Sequence, residues 1–230
     1  MFSFRDHLDP DPATGGRRVE VAFTDVSIDV AERGDLEGAL GLLGAELGVA
    51  FARTDQVHGC EVVVLDRPGD VRALPVGDGM VTTLAGTALM VRVADCVPVL
   101  LASAEAGVLG VAHAGRRGVE LDVVTRTVEQ MRALGAGEIL AWIGPHICGG
   151  CYEVPEAMRT EIAARVPATH AQTTWGTPSL DLGAGVAAQL AAAGVTATTV
   201  GGCTRESATL HSFRRDGADA GRLAGLVWLP

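Results

Sequence analysis

The sequence predicts an α+β fold, in which mixed β-sheets are layered with helices in a single domain that spans residues 1–230. Two observations lead to this prediction. Segments with helical and with strand periodicity follow one another in irregular order, which argues against a doubly wound α/β fold. The composition is 48% hydrophobic with only 4% aromatic residues and 30 glycines, so the core must be built from aliphatic side chains and many tight turns.

The N-terminal part of the chain begins with turn residues and continues into strand and helix patterns. Residues 1–18 are a candidate flexible segment, because they contain the turn-rich stretch "DPDPATGGRR". Residues 19–30, "VEVAFTDVSIDV", alternate in polarity, which predicts a strand pair. A helix is expected between Asp35, a suitable N-cap, and Gly48, because leucines recur between them at helical spacing and a glycine commonly ends a helix.

The middle of the chain, from Val49 to Ala112, changes to short apolar runs that are separated by Gly, Asp and Pro. Such runs predict strands of a mixed sheet, and the uninterrupted ones predict strands that are buried on both faces. The runs are "GVAFARTDQV", "CEVVVLD", "GDGMVTT", "TALMVRVADCVPVLLAS" and "GVLGVAHA".

The C-terminal half alternates between predicted helices and strands. Helices are expected over 119–134, over 155–165 and within "SLDLGAGVAAQLAAAG". Strands are expected in "EILAWIG", in "VTATTVGG" and in the closing "RLAGLVWLP", and "PHICGGCYEV" is expected to be a loop.

Charge and cysteine content narrow the classes of partner. The formal net charge is −10, which argues against binding to nucleic acid or to an anionic membrane and favours a small-molecule partner. All 18 basic residues are arginine, so a phosphate site would use guanidinium or backbone N–H groups. Five cysteines in a chain of this size are expected to be reduced. The sequence shows neither a signal-peptide pattern nor an apolar run long enough to span a membrane, so a cytoplasmic protein is expected.

Three residues that can bind a metal stand at the ends of predicted strands: His58 in "QVHG", Cys96 in "ADCVPVLL" and His113 in "AHAGRRG". Their separations of 38 and 17 residues match no zinc-finger spacing. If the three strands are neighbours, two imidazoles and a thiolate with an open fourth position would suit a catalytic zinc. The same residues could instead form a cysteine nucleophile that histidine activates.

Two further features near these motifs have alternative interpretations. Arg117 stands at the start of a predicted helix, where it could bind phosphate together with helix N-terminal amides or simply face solvent. Cys148 and Cys151 form a C-x-x-C motif, which is consistent with redox chemistry or with a second metal. The sequence has no partner pair for that motif, so a structural role is preferred.

Six motifs follow one another along the chain: "QVHG", "DGMVTT", "ADCVPVLL", "AHAGRRG", "IGPHICGGCYEV" and "CTRESATLHSFRRDGADAGRLAGLVWL". In this order they resemble the laccase-domain family, whose members were first described as polyphenol oxidases and later as purine nucleoside phosphorylases or peptidoglycan editing factors. The resemblance extends from Gln56 to Leu229. It departs from the family pattern at Arg116, where relatives usually have Trp, and in an N-terminal loop that normally contains a glycine-rich motif.

The resemblance implies a metal bound by His58, Cys96 and His113, with zinc expected first and copper as the alternative. It also implies phosphorolysis of purine nucleosides, with adenosine, inosine, guanosine and methylthioadenosine as substrates, and it is compatible with adenosine deamination. The expected carboxylate in the site is that of Asp78 or Asp95, and Arg117 is the expected phosphate partner, with Arg53, Arg92 and Arg116 as alternatives. Two alternatives remain open: copper-dependent oxidation of phenols, and a Cys/His hydrolase that acts on peptidoglycan precursors.

Overall fold

Two mixed β-sheets lie face to face at the centre of the protein, and helices cover their outer faces. The computed structural model describes residues 1–13, 15–67 and 74–230. The strands are β1 (Phe2–Leu8), β2 (Val19–Thr24), β3 (Ala50–Ala52), β4 (Val62–Leu65), β5 (Gly79–Thr82), β6 (Thr87–Val93), β7 (Val97–Ser103), β8 (Val108–Ala114), β9 (Leu140–Ile143), β10 (His170–Gln172), β11 (Pro178–Leu180), β12 (Thr196–Thr199) and β13 (Leu223–Trp228). The helices are α1 (Leu36–Leu47), α2 (Arg116–Glu120), α3 (Val123–Ala133), α4 (Glu156–Arg165), α5 (Leu182–Ala192) and α6 (Phe213–Asp216).

The two large sheets differ in strand order. The first sheet has the order β1-β2-β13-β6-β3, and all of its neighbouring strands are antiparallel except the parallel pair β3 and β6. The second sheet has the order β12-β9-β7-β8-β5-β4, with parallel pairs at its two edges and antiparallel pairs between them. Strands β10 and β11 form a separate antiparallel pair.

The residues of β6 show how the layers are built. Leu89 and Val91 face the second sheet, whereas Ala88 and Met90 face α1, because successive side chains of a strand point to opposite sides. The second sheet repeats this arrangement: Leu100 of β7 faces the first sheet, and its neighbours pack against the helices on the other side. The result is a four-layer stack of helix, sheet, sheet and helices.

The structure confirms the predicted α+β class, with mixed sheets layered with helices in a single domain. It also confirms the helix that follows Asp35, whose side chain accepts the N–H of Gly38, and Gly48 ends this helix with a φ of 70°. Among the residues that the structure describes, none of the helices combines the length and the apolar character needed to span a bilayer.

Two local predictions were wrong. The expected helix over 119–134 is interrupted, because Asp122 adopts a φ of 58° and caps α3 by accepting the N–H of Thr125. The expected strand pair over 19–30 is a single strand, β2, which ends before Asp25. The Asp25 side chain accepts the backbone N–H of Ser27, and this hydrogen bond forms a turn.

The partner of β2 comes from the segment 1–18, in which β1 pairs with β2 in antiparallel register. Thr14 of that segment lies outside the described residues.

Candidate metal centre

The candidate metal centre lies where the chain passes from the first sheet to the second. Strand β6 ends at Val93 in the first sheet, and β7 begins at Val97 in the second, so three residues connect the sheets. Cys96 is the last of these three. His113 lies near the end of β8 and pairs with Pro98 of β7, and His58 lies in the loop before β4.

The three predicted ligands, His58, Cys96 and His113, converge at this edge. The Sγ of Cys96 lies 3.7 Å from the Nε2 of His58. The two imidazole rings have centroids 4.8 Å apart and meet edge to face at 70°. One ligand atom from each residue lies within 4.8 Å of the others. His113 is buried, Cys96 is partly buried and His58 is exposed, so the set extends from the protein interior to its surface.

The carboxylate of Asp78 accepts hydrogen bonds from both histidines. Its Oδ1 accepts the Nδ1–H of His113 at 2.8 Å and the backbone N–H of His58 at 3.0 Å. Its Oδ2 accepts the backbone N–H of Gly59 at 2.6 Å and that of Val57 at 3.2 Å. Burial raises the pKa of Asp78, but these bonds and the charge of His113 outweigh it and lower that pKa. Because an ionised carboxylate only accepts, His113 carries its proton on Nδ1 and presents Nε2 to the cluster.

The cysteine and the buried histidine stabilise each other's charged forms. Burial raises the pKa of the Cys96 thiol, but the charge of His113 and hydrogen bonds from His113 and His58 lower it to about 6. Burial likewise lowers the pKa of His113, whereas Cys96 and Asp78 raise it to about 9. A thiolate is the form of cysteine that binds metals.

Two backbone features make room for this cluster. A Cβ atom at Gly115 would lie 2.7 Å from the Cδ2 of His58 and 3.0 Å from the Sγ of Cys96, so a side chain there would displace both ligands. His58 itself has a φ of 60°, in the left-handed region, and the bonds from Asp78 to residues 57–59 hold that turn.

Asp95 fixes the turn that presents Cys96. Its φ is 85°, a region that Asp and Asn tolerate better than most residues. Its carboxylate is buried and accepts the hydroxyl of Thr204 at 2.6 Å and the backbone N–H of Arg214 at 2.5 Å. Residues 94–96, which connect β6 to β7 and are called the sheet crossing below, are thereby linked to the loop that follows β12 and to the start of α6.

A cleft of about 610 Å³ opens above the cluster. Its wall combines guanidinium groups with two aromatic side chains, and the Arg214 guanidinium lies 4.9 Å from the centre of the Tyr152 ring. Arg92 pairs with Glu32 at 2.9 Å, while its buried Nε lacks a hydrogen-bond partner among the described residues. The lining residues are Ala31, Glu32, Arg33, Gln56, His58, Arg92, Val93, Ala94, Asp95, Cys96, His113, Ile147, Tyr152, Leu182, Phe213, Arg214 and Arg222.

The two arginines of "AHAGRRG" occupy different positions on α2. Arg117 is exposed and is not among the described residues that line the cleft. Arg116 is partly buried near Tyr152: burial raises the pKa of the Tyr152 hydroxyl, and the charges of Arg116 and Arg214 oppose that rise. Successive helical residues point about 100° apart, so the two arginines have different surroundings, and Arg116 is likewise not among the described residues that line the cleft.

Sequence reasoning did not select Tyr152, Phe213 or Arg214, which line the cleft. All three stand inside motifs that carry the family resemblance, "CYEV" and "SFRRDG". Their positions in those motifs were therefore the signal that could have identified them.

The donor set fits a zinc ion. Catalytic zinc is commonly held by three protein ligands from imidazole and thiolate, with a fourth position open to the cleft. The carboxylate to histidine contact from Asp78 is the arrangement that usually orients a metal-binding imidazole. A His₂Cys copper site for electron transfer usually adds a weak axial methionine. No methionine occurs among the described residues that line this cleft.

These features define a class of α+β protein, in which two stacked mixed sheets carry a candidate metal centre where the chain crosses between them. A family model described as "Multi-copper polyphenol oxidoreductase laccase" matches residues 26–230. The chain therefore belongs to that family, which confirms the resemblance seen in the sequence motifs.

Individual relatives and one solved structure agree with this assignment. A protein of Streptomyces griseus named purine nucleoside phosphorylase is 46% identical over 240 residues, covering 95% of this chain and 96% of that protein. One of Streptomyces coelicolor with the same name is 52% identical over 194 residues, covering 82% and 80%. A protein of an unknown prokaryote named adenosine deaminase is 37% identical over 190 residues, covering 73% and 70%. The crystal structure of YlmD from Geobacillus stearothermophilus has a TM-score of 0.81 at 26% identity, covering 95% and 94%.

Proposed function

We propose that this protein is a purine nucleoside phosphorylase that converts adenosine and phosphate to adenine and ribose 1-phosphate. Inosine, guanosine and methylthioadenosine are the further substrates of this proposal. The observation that supports it most is the cleft, which opens above the cluster of His58, Cys96 and His113 and is lined by arginine and aromatic side chains. Relatives that cover most of the chain carry the name of this activity.

The reaction makes distinct demands on the cleft. The bond between the base nitrogen and the sugar C1′ breaks, a phosphate oxygen forms a new bond to C1′, and the phosphate proton ends on the departing purine. The rings of Tyr152 and Phe213 offer surfaces on which a purine can stack. Arg214 is the phosphate partner that we favour, because a guanidinium matches the geometry of phosphate oxygens and this one lies in the cleft.

The metal in this proposal is zinc, held by His58, Cys96 and His113. When bound, it would supply a Lewis acid and a lowered pKa for a coordinated water. Asp78 serves as a positioning residue, because all four of its hydrogen bonds go to N–H groups that orient the two histidines. Asp95 positions Cys96 in the same way, through its bonds to Thr204 and Arg214. Arg117 remains the alternative phosphate partner.

Adenosine deamination is a second candidate activity, favoured by the relative named adenosine deaminase. It would release inosine and ammonia from adenosine and water, and it needs no phosphate. The two activities are therefore separated by their products and by their dependence on phosphate.

The test is a mass-spectrometric product analysis of purified protein with each nucleoside, with and without phosphate. We expect adenine and ribose 1-phosphate in equal amounts, and we expect adenine release to require phosphate. His113→Ala should abolish the activity and the zinc held at the centre of His58, Cys96 and His113, whereas His170→Ala, at an exposed position on β10, should retain both. Intact adenosine in every incubation with zinc-loaded protein would contradict the proposal.

The remaining alternatives predict other results. Oxidation of a phenolic dye in proportion to added copper would favour a polyphenol oxidase. In the described ranges, however, only two of the chain's six histidines are grouped with other ligand donors, and a multicopper oxidase needs several histidine-rich sites. Inactivation by iodoacetamide that a chelator does not alter would favour the Cys/His hydrolase.

A further inference from the structure

A second group of potential metal ligands lies outside the candidate metal centre. Cys148 and Cys151 are in the loop after β9, and Cys203 and Glu206 are in the loop after β12. One ligand atom from each of these four residues lies within 4.8 Å of the others. The sequence left Cys148 and Cys151 without a partner pair, and the fold supplies two further donors from a loop 55 residues away.

The local backbone presents these side chains in pairs. The carbonyl of Cys148 accepts the N–H groups of Cys151 and Tyr152, both at 3.0 Å, so the C-x-x-C segment forms a tight turn. In the other loop, the carbonyl of Cys203 accepts the N–H of Ser207 at 3.1 Å, which turns Cys203 and Glu206 toward the same side. Structural zinc sites commonly take closely spaced ligands from two separate segments of the chain, which is the arrangement of these two turns.

Contacts between the two loops already join the four residues. The N–H of Cys148 donates to the Sγ of Cys203 at 3.4 Å, and the Sγ of Cys151 donates to Glu206 Oε1 at 3.5 Å. The N–H of Thr204 donates to the carbonyl of His146 at 3.0 Å, which aligns the loops beside the cluster. All five cysteines lie in the described residues and are free thiols, so no disulfide occupies these sulfurs.

We propose that Cys148, Cys151, Cys203 and Glu206 bind a structural Zn²⁺ ion, separate from the centre formed by His58, Cys96 and His113. Three sulfurs and one carboxylate oxygen complete a four-coordinate shell, which distinguishes this closed site from a catalytic site with an open position. Thiolates exclude Mg²⁺ and Ca²⁺, which prefer oxygen ligands. Arg205, which lies between Cys203 and Glu206 in sequence, packs its side chain 4.8 Å from the centre of the Trp175 ring.

This ion would brace one wall of the substrate cleft. Ile147 and Tyr152 line the cleft and flank the C-x-x-C turn directly. Thr204, next to Cys203, holds the carboxylate of Asp95 and thereby the turn that presents Cys96. A structural zinc at this place joins the two loops on which that wall depends.

The test isolates the second site by disabling the first. In a His58→Ala/His113→Ala protein, elemental analysis and native mass spectrometry should find one zinc per chain. Its cobalt-substituted form should show the thiolate charge-transfer and tetrahedral absorption bands of a sulfur-rich site. Adding Cys203→Ser should remove the remaining metal and those bands. Adding Cys60→Ser should change neither, because Cys60 belongs to neither ligand group.

The wild-type protein provides a measurement that does not depend on how the variants fold. It should bind two zinc ions per chain, one of which is released by a thiol-blocking mercurial reagent even when the first centre is protected by substrate. A wild-type stoichiometry of one zinc, lost on His58→Ala, would overturn the proposal. So would a disulfide among Cys148, Cys151 and Cys203 in protein that has been reduced and supplied with zinc.

Discussion

Replacing Asp78 with Asn preserves the shape of the side chain but removes one of the two carboxylate oxygens that accept hydrogen bonds at the candidate metal centre. Each carboxylate oxygen accepts two N–H groups: Oδ1 those of His113 Nδ1 and the His58 backbone, and Oδ2 those of the Val57 and Gly59 backbone. An amide retains one oxygen and places an NH₂ group where the other stood. Whichever way the amide turns, two N–H groups lose their acceptor and face another donor.

The size of the effect follows from these four bonds. A hydrogen bond to a charged group contributes about 1.5–3 kcal/mol, so the loss of two lowers the free energy of unfolding by about 3–6 kcal/mol. The lower end is expected, because His58 and Val57 are exposed and water can replace part of what their N–H groups lose. A change in the group that orients a metal-binding histidine lowers metal affinity about 10–100-fold, and that is the loss expected for zinc.

Two measurements check this prediction. Urea unfolding of the metal-free protein gives the change in the free energy of unfolding, and competition with a chelator of known zinc affinity gives the dissociation constant. Asp35→Asn is the matched control, because Asp35 also accepts a backbone N–H but caps α1, where Asn and Asp are about equally effective. If Asp78→Asn resembles Asp35→Asn in both measurements, Asp78 does not hold the centre in the way that its hydrogen bonds indicate.

Two further predictions concern the space around the ligands and the anion partner. Gly115→Ala should weaken zinc binding at least about 10-fold in the same chelator competition, because the new Cβ would lie closer to His58 and Cys96 than van der Waals contact allows. Gly137→Ala is the control and should leave zinc binding unchanged, because a Cβ there meets nothing within 4 Å. Arg214→Ala should raise the KM for phosphate about 10–100-fold in the phosphorolysis assay, as expected for a lost bond to a charged group. Arg117→Ala should change that KM by no more than about twofold. A large rise in KM for Arg117→Ala and a small one for Arg214→Ala would instead place the phosphate at α2.

Sequence patterns predicted the structural features that are determined by residues close together in the chain. The limits of α1 were predictable, because Asp35 and Gly48 act on the helix ends beside them. The two-sided burial of the central strands was predictable from their continuous apolar runs. The candidate metal ligands could be selected only through their motifs, since 38 residues separate His58 from Cys96 and the fold alone brings the Sγ of Cys96 to 3.7 Å from the Nε2 of His58.

Other features depend on contacts that no local pattern encodes. Strand β1 is exposed along much of its length and is defined by its pairing with β2, so its own sequence resembled an unstructured opening. The cleft position of Arg214 depends on where α6 meets the sheet crossing at Asp95. Cys203 joins Cys148 and Cys151 only because β12 lies beside β9 in the second sheet, so that the loops after both strands begin at the same edge.

The sheet crossing explains why the two ligand groups should influence each other despite being separate. Only three residues connect β6 to β7, and such a short link keeps Asp95 in a left-handed conformation with its carboxylate bound to Thr204 and Arg214. Thr204 stands next to Cys203, so the loop that carries the proposed structural zinc also holds the turn that presents Cys96. In contrast, His113 lies on β8 and Asp78 directly precedes β5, the neighbouring strand of the second sheet, so their contact does not involve that loop. Loss of the structural ion should therefore displace Cys96 and the Tyr152 wall of the cleft while leaving the bond between His113 and Asp78 in place.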